Sequence, residues 1–109
     1  VFAGHKDGMV YNIAKAGLQA MTRNMAYELG PHGISANAVA PGAVPERPGE
    51  SRDFTIAMNE TKAGLIPVGR YGRAEDIASA VIFFCLPETE WTTGQTLLVD
   101  GGHNSYLHE

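Results

Sequence analysis

Apolar positions recur at helical spacing near the start of the chain: Ala14, Leu18, Met21, Met25 and Leu29 follow one another at intervals of four, three, four and four. That rhythm predicts one apolar stripe on a helix from about Met9 to Leu29, stopped by Gly30-Pro31. A second face carries Ala16, Ala20, Arg23 and Tyr27, and two small residues about one turn apart allow another helix to approach closely. The run Ile34 to Ala40 then reads as a short buried strand ending at Pro41-Gly42, where the backbone loses a donor and then gains freedom. Farther on, Glu75 and Asp76 suit the positive end of a helix dipole, and Ile77, Ala78, Val81, Ile82 and Leu86 predict the buried stripe behind them. Thr96 to Val99 reads as a last strand. Asp100-Gly101 would suit a hairpin, but no second apolar run follows to pair with it, so a turn after a final parallel strand is expected.

Between these elements, Pro45 to Leu65 mixes charges of both signs with only a weak helical stretch near Asp53 to Lys62. It has the character of a variable loop over a rigid scaffold, the kind of segment in which substrate choice resides. Neither internal repeats nor low-complexity segments interrupt the 109 residues.

Charge and composition narrow the function classes. A net charge of −4 without clustered Lys and Arg argues against a nucleic-acid surface. The longest apolar run, Ala80 to Leu86, is far short of the ~20 residues that span a bilayer, so no membrane role is expected. One cysteine, Cys85, excludes an intrachain disulfide, is compatible with a reducing, cytoplasmic setting, and is expected to be a small buried apolar residue. His5, His32, His103 and His108 lack the close spacing of a zinc site and are expected at the surface, with no metal involved. Gly33-Ile34-Ser35-Ala36-Asn37 nearly imitates a hydrolase nucleophile elbow, but Asn37 replaces the final glycine and the serine enters a strand instead of leaving one, which argues against acyl hydrolysis.

The residues with the most chemistry are Tyr11 and Lys15, four apart in Tyr11-Asn12-Ile13-Ala14-Lys15. On a helix that spacing puts a phenol and an ammonium on one face, roughly 5–6 Å apart at Cβ. A fixed positive charge beside a phenol favours the phenolate, which suits a general acid and base. The pattern alone also describes a tyrosine and a lysine on an ordinary amphipathic helix.

Three downstream stretches add context: Asn37-Ala38-Val39-Ala40-Pro41-Gly42, then Pro67-Val68-Gly69-Arg70-Tyr71-Gly72-Arg73 leading into Glu75-Asp76-Ile77-Ala78, then Thr93-Gly94-Gln95-Thr96-Leu97-Leu98-Val99-Asp100-Gly101-Gly102. In order and spacing, together with Tyr11 and Lys15, they resemble the short-chain dehydrogenase/reductase family, including its 3-oxoacyl-carrier-protein reductase and sugar or alcohol dehydrogenase members. The resemblance runs from about Met9 to Asn104. It implies an α/β fold, the C-terminal part of a doubly wound parallel-sheet, Rossmann-type domain, with residues 1–109 forming a single partial domain. Members of the family begin with a Gly-x-x-x-Gly-x-Gly turn for the dinucleotide pyrophosphate, and that spacing does not occur among the thirteen glycines. The family's catalytic serine lies about a dozen residues before the tyrosine, which would be upstream of Val1. The sequence therefore reads as a piece of a longer enzyme.

What the resemblance implies for function is hydride transfer between NAD or NADP and a carbonyl or alcohol substrate. Tyr11 would pass the proton, and Lys15 would assist it and bind the cofactor ribose. Tyr11, Lys15, Pro41, Gly42 and Val44 are the implied cofactor contacts, the turn touching the nicotinamide through backbone groups. Relatives often carry a threonine two residues after Val44, where this chain has Glu46, and an ionised carboxylate cannot donate a hydrogen bond to the carboxamide. The long helix would be a subunit contact, implying a homodimer or homotetramer. A different class also fits the sequence: a noncatalytic remnant that keeps oligomer-forming helices and acts as an interaction module. Either way, a strand without its inner neighbour and helix faces meant for a larger sheet are expected to make the isolated chain associate.

Overall fold

Met9–Leu29 form a helix of 21 residues, α1, in agreement with the apolar rhythm. Its start is simple: no side chain caps it, and the backbone N–H of Asn12 donates to Gly8 O at 2.8 Å. Its end falls where expected, with one addition. The α-helix stops at Leu29 with Gly30 as its C-cap, as Gly30-Pro31 led one to expect, but Gly30 keeps helical angles and carries the chain into a 3-10 turn, Gly30–His32. The left-handed terminator is Gly33, with φ 74°, whose N–H donates to Gly30 O at 2.9 Å while Ile34 N–H reaches Leu29 O at 3.3 Å.

The structure, a computed structural model, describes residues 8–45 and 63–105. Within them, β1 is Ala38–Pro41, β2 is Thr96–Val99 and a second helix, α2, is Ala74–Cys85. The two strands form one sheet. Ala38 N–H donates to Gln95 O and Gly42 N–H to Val99 O, each at 2.8 Å, so pairing advances in the same direction on both strands and is parallel. Short 3-10 turns occupy Ala63–Leu65, Pro87–Thr89 and His103–Ser105.

β1 begins four residues later than the apolar run suggested, and its residues are half-buried or exposed, not buried. The cause lies in side-chain competition for the backbone. Thr93 Oγ1 accepts the N–H of Ala36 at 2.9 Å; Asn37 donates from Nδ2 to Thr92 O at 2.7 Å and accepts Gln95 N–H on Oδ1 at 3.1 Å. These bonds clasp the entry to both strands without extending the ladder.

The fold divides into two compact units, Val1–Ala38 with Phe84–Leu97, and Val39–Phe83 with Leu98–Glu109. In the first, the buried positions of α1 are Thr22 and Ala26, not the expected stripe; Leu18, Met21 and Met25 stay 40–50% exposed. Thr22 satisfies its hydroxyl by donating to Leu18 O at 2.8 Å. A Cβ on Gly94, which has φ 73°, would lie 3.3 Å from the Ala26 Cβ, so a small residue on α1 meets a bare backbone. The second unit buries Ile66, Tyr71 and Ala80. On α2 the protected position is Ala80, and of the expected stripe Ile77 is half-buried while Ala78, Val81 and Ile82, and Leu86 just past the helix, are exposed. Cys85, at the end of α2, is exposed instead of buried.

Candidate functional site

The carboxyl ends of β1 and β2 lie at the same edge of the sheet, because the strands are parallel, and both chains turn there. Gly42 follows β1 directly, and a Cβ on it would sit 2.6 Å from the Cβ and 2.7 Å from the Cα of Asp100. Only hydrogen fits in that space, so the Pro41–Val44 turn lies against the end of β2 with glycine at the contact.

Asp100 is fixed in turn. Its carboxylate accepts the N–H of Gly102 at 2.9 Å on Oδ1, and on Oδ2 the N–H of Asn104 at 2.8 Å and its side-chain amide at 3.0 Å. Burial would raise its pKa, but the backbone N–H groups of Asn104 and Gly102, the Asn104 amide and the nearby His103 outweigh it, and the carboxyl is held below its usual range. Gly101 and Gly102 both have positive φ, 64° and 86°, and a Cβ on Gly101 would come 2.8 Å from Ile66 Cγ2.

The other side of the turn is held by residues 70–73. Gly72 N–H donates to Ala43 O at 3.0 Å, and a Cβ on Gly72 would come 3.0 Å from Val44 Cγ2. The two members of one ion pair flank Gly72 in the chain: Arg70 Nη1 and Nη2 donate to Asp76 Oδ2 and Oδ1 at 2.7 and 3.0 Å, and Arg70 Nη1 also donates to Tyr71 O at 2.9 Å. Asp76, at the third position of α2, reaches back to accept Arg73 N–H at 2.8 Å, the reciprocal half of a helix N-cap. The hydrogen bond from Arg70 chiefly, helped by Arg73 N–H, lowers the Asp76 pKa from 3.8 to about 2. Arg70 is raised above its ordinary value by the same bond.

A folded-state pKa below the unfolded one makes Asp76 stabilising wherever the unfolded carboxyl is ionised, and that contribution fades as pH falls from about 4 toward 2. Asp76→Asn is therefore expected to lower stability at neutral pH and to flatten this part of the acid limb. Parallel urea midpoints of both proteins from pH 6 to about 2 check it; an unchanged acid limb would count against the clamp.

Between these groups lies a cavity of about 310 Å³, lined by Gly42, Ala43, Arg70, Gly72, Asp76, Ser79 and Asp100 among others. Its place beyond the carboxyl ends of parallel strands is where open α/β sheets bind ligands. Pro41, the last residue of β1, is exposed, while Gly42 and Val44 are half-buried.

In the other unit, α1 presents Tyr11 and Lys15 as the spacing required. Tyr11 is 59% exposed, and the Lys15 ammonium stands over its ring, 5.4 Å from the centroid, within cation–π range. The structure thus brings Tyr11 together with Lys15, and gathers Gly42 and Val44 with Gly72 and Asp100. Glu46 and the helical stretch expected near Asp53–Lys62 fall outside the described residues, as do His5 and His108; of the loop from Pro45 to Leu65, Pro45 and the Ala63–Leu65 turn are described. His32 and His103 are exposed, and His103 Nδ1 lies 3.3 Å from Leu65 O. Among the described residues no three His, Cys, Asp or Glu side chains cluster for a metal ion, and no helix is long and apolar enough to cross a membrane.

Sequence reasoning missed the Arg70–Asp76 pair and the supporting roles of Gly72 and Asp100. From the sequence, Asp76 suits the helix dipole alone. Its available signal was an acidic residue three positions after Arg73, the mark of a capping side chain that looks backward.

This geometry agrees with what the chain resembles. Residues 2–104 match the family model described as Enoyl-(Acyl carrier protein) reductase. The chain is 45% identical over 104 residues to the 3-oxoacyl-[acyl-carrier-protein] reductase FabG of Rickettsia bellii, covering 92% of this chain and 41% of that protein. It is 40% identical over 95 residues to a tropinone reductase homologue of Arabidopsis thaliana, covering 87% and 36%. Among solved structures, the acetoin dehydrogenase of Enterobacter cloacae superposes with a TM-score of 0.80 at 34% identity, covering 98% of this chain and 40% of that one. That of Salmonella typhimurium gives 0.82 at 35% identity, covering 98% and 42%. The helices and parallel strands are thus part of a Rossmann-type α/β fold, and the chain belongs to the short-chain dehydrogenase/reductase family of oxidoreductases. It spans about two-fifths of the length of these relatives.

Proposed function

We propose that the chain supplies the proton-transferring helix face and the nicotinamide-facing turn of an NAD(P)-dependent oxidoreductase acting on a carbonyl or alcohol. The observation that carries this reading is the Lys15 ammonium held 5.4 Å from the centroid of the Tyr11 ring. Tyr11 Oη gives a proton to the substrate oxygen in reduction and takes it back in oxidation. Lys15 places positive charge over the ring that shares the negative charge left behind, and its ammonium offers three donors suited to ribose hydroxyls.

The residues present fit the nicotinamide end of NAD or NADP. Gly42 follows the carboxyl end of β1 with no side chain and lines the cavity together with Ala43, and Pro41 and Val44 flank these two in the chain. When bound, the cofactor supplies or accepts the hydride that accompanies the proton. No Gly-x-x-x-Gly-x-Gly turn occurs in the 109 residues, so the pyrophosphate is assigned to none of them. The isolated chain is accordingly proposed to be inactive. A cytoplasmic homodimer or homotetramer is the setting proposed for the active protein.

The exposed apolar side chains Val81, Ile82 and Phe83 on α2, with Leu97 and Leu98 on β2, favour a second reading, an interaction module without catalysis. Fluorescence of NADH and NADPH separates the two. Protein expressed from the longest open frame that carries this chain should shift or quench one of them and oxidise or reduce a carbonyl/alcohol panel; absence of both responses favours the module.

A further inference from the structure

The Arg70–Asp76 pair and Gly72 line the cavity but are not among the implied cofactor contacts Tyr11, Lys15, Pro41, Gly42 and Val44, and their own contacts lead to the turn that carries three of these. Arg70 is tied forward to Asp76 by two bonds and to Tyr71 O by a third. Asp76 is tied back to Arg73 N–H. Gly72 therefore sits between two fixed neighbours, with the buried Tyr71 ring, 6% exposed, on one side. From that position it makes two contacts with the turn: its N–H donates to Ala43 O, and its bare Cα leaves just enough room for Val44 Cγ2.

From this arrangement we propose that Gly72, held by Arg70 and Asp76, is a positioning residue that sets the height of the Ala43–Val44 backbone against the nicotinamide ring. The inference rests on the functional reading above. A clamp that merely caps α2 would need neither the Gly72–Ala43 bond nor the missing Cβ facing Val44. Tight contacts of this kind transmit small displacements, because a packed neighbour must move when an atom is added. A methyl group at Gly72 would come 3.0 Å from Val44 Cγ2 and 3.4 Å from Ala43 O, so the Val44 side chain must give by a few tenths of an ångström, and where its half-buried position resists, the backbone of the turn shifts instead.

The test uses the protein expressed from the longest open frame that carries this chain, with two probes: NADH, and ADP-ribose, which shares the adenosine diphosphate ribose portion but lacks nicotinamide. Gly72→Ala is expected to weaken NADH about tenfold, as a small misplacement does, and to leave ADP-ribose within about twofold. In a Val44→Ala background, where the obstructing Cγ2 is gone, the same substitution is expected to cost less than about twofold for NADH. Arg70→Lys, which keeps the charge and loses the two-pronged geometry, provides a milder variant should Gly72→Ala fold poorly; it is expected to weaken NADH about threefold with ADP-ribose unchanged.

Equal losses for the two probes in both variants, or an undiminished Gly72→Ala loss in the Val44→Ala background, would overturn the positioning role while leaving the proposed function standing. Wild-type protein that binds ADP-ribose and NADH with the same affinity would overturn the nicotinamide assignment of the turn, and this inference with it.

Discussion

Tyr11→Phe is expected to lower turnover about 10²–10⁴-fold, the range of a positioned proton donor, while NADH affinity stays within about twofold. The substitution removes one oxygen and keeps the ring over which Lys15 lies, so the contact at 5.4 Å survives. A selective fall in kcat with binding retained is thus the signature of proton transfer. Turnover within about twofold of wild type would remove Tyr11 from the reaction and leave the Tyr11–Lys15 face as an ordinary surface feature.

Gly42→Ala is expected to be the most destabilising single methyl in the described fold. Its Cβ would lie 2.6 Å from Asp100 Cβ and 2.7 Å from Asp100 Cα, and neither atom can swing aside as the tip of a long side chain could. Either β1 moves away from β2, breaking the 2.8 Å bond from Gly42 N–H to Val99 O, or Asp100 leaves its bonds to Gly102 and Asn104. Over-packing of a fitted interior costs about 1–3 kcal/mol, and a clash with main-chain atoms belongs at the upper end. Urea unfolding followed by circular dichroism reads the change; a midpoint equal to wild type would show that the turn yields freely.

These two substitutions fall on residues that the sequence already singled out, and the reason is that both belong to local patterns. Tyr11 and Lys15 need only a helix between them, and Gly42 needs only a turn after an apolar run. Helix α1 was legible over its whole length for the same reason, as was the start of α2 at Glu75 and Asp76. Burial was not. Periodicity selects the largest apolar residues, whereas protection depends on which surface meets a neighbour; Thr22, Ala26 and Ala80 are covered while Leu18 and Val81 are not. Gly30 and Gly33 look alike in sequence, and only φ shows that the first caps α1 in helical angles while the second, left-handed, ends the 3-10 turn behind it. β1 starts late because Asn37 and Thr93 spend their side chains on backbone more than fifty residues away, a pairing that no local window contains. The Arg70–Asp76 clamp crosses from a loop into a helix, so neither helical nor strand spacing reveals it. Residue identity could suggest a carboxylate near an arginine; only the fold shows that Gly72, between them, supports the turn.

The clasp at Ala36 and Asn37 also sets an order of events. Its side-chain bonds join residues separated by 55 to 58 positions, and the strand bonds from Ala38 and Gly42 span a similar interval. Closing a loop of that length costs roughly 3–4 kcal/mol of chain entropy before the first strand bond forms. Helices α1 and α2 carry no such cost, since their contacts are local. The sheet, and with it the turn at Gly42, is consequently assembled last, by a search over distance that the helices narrow but cannot replace.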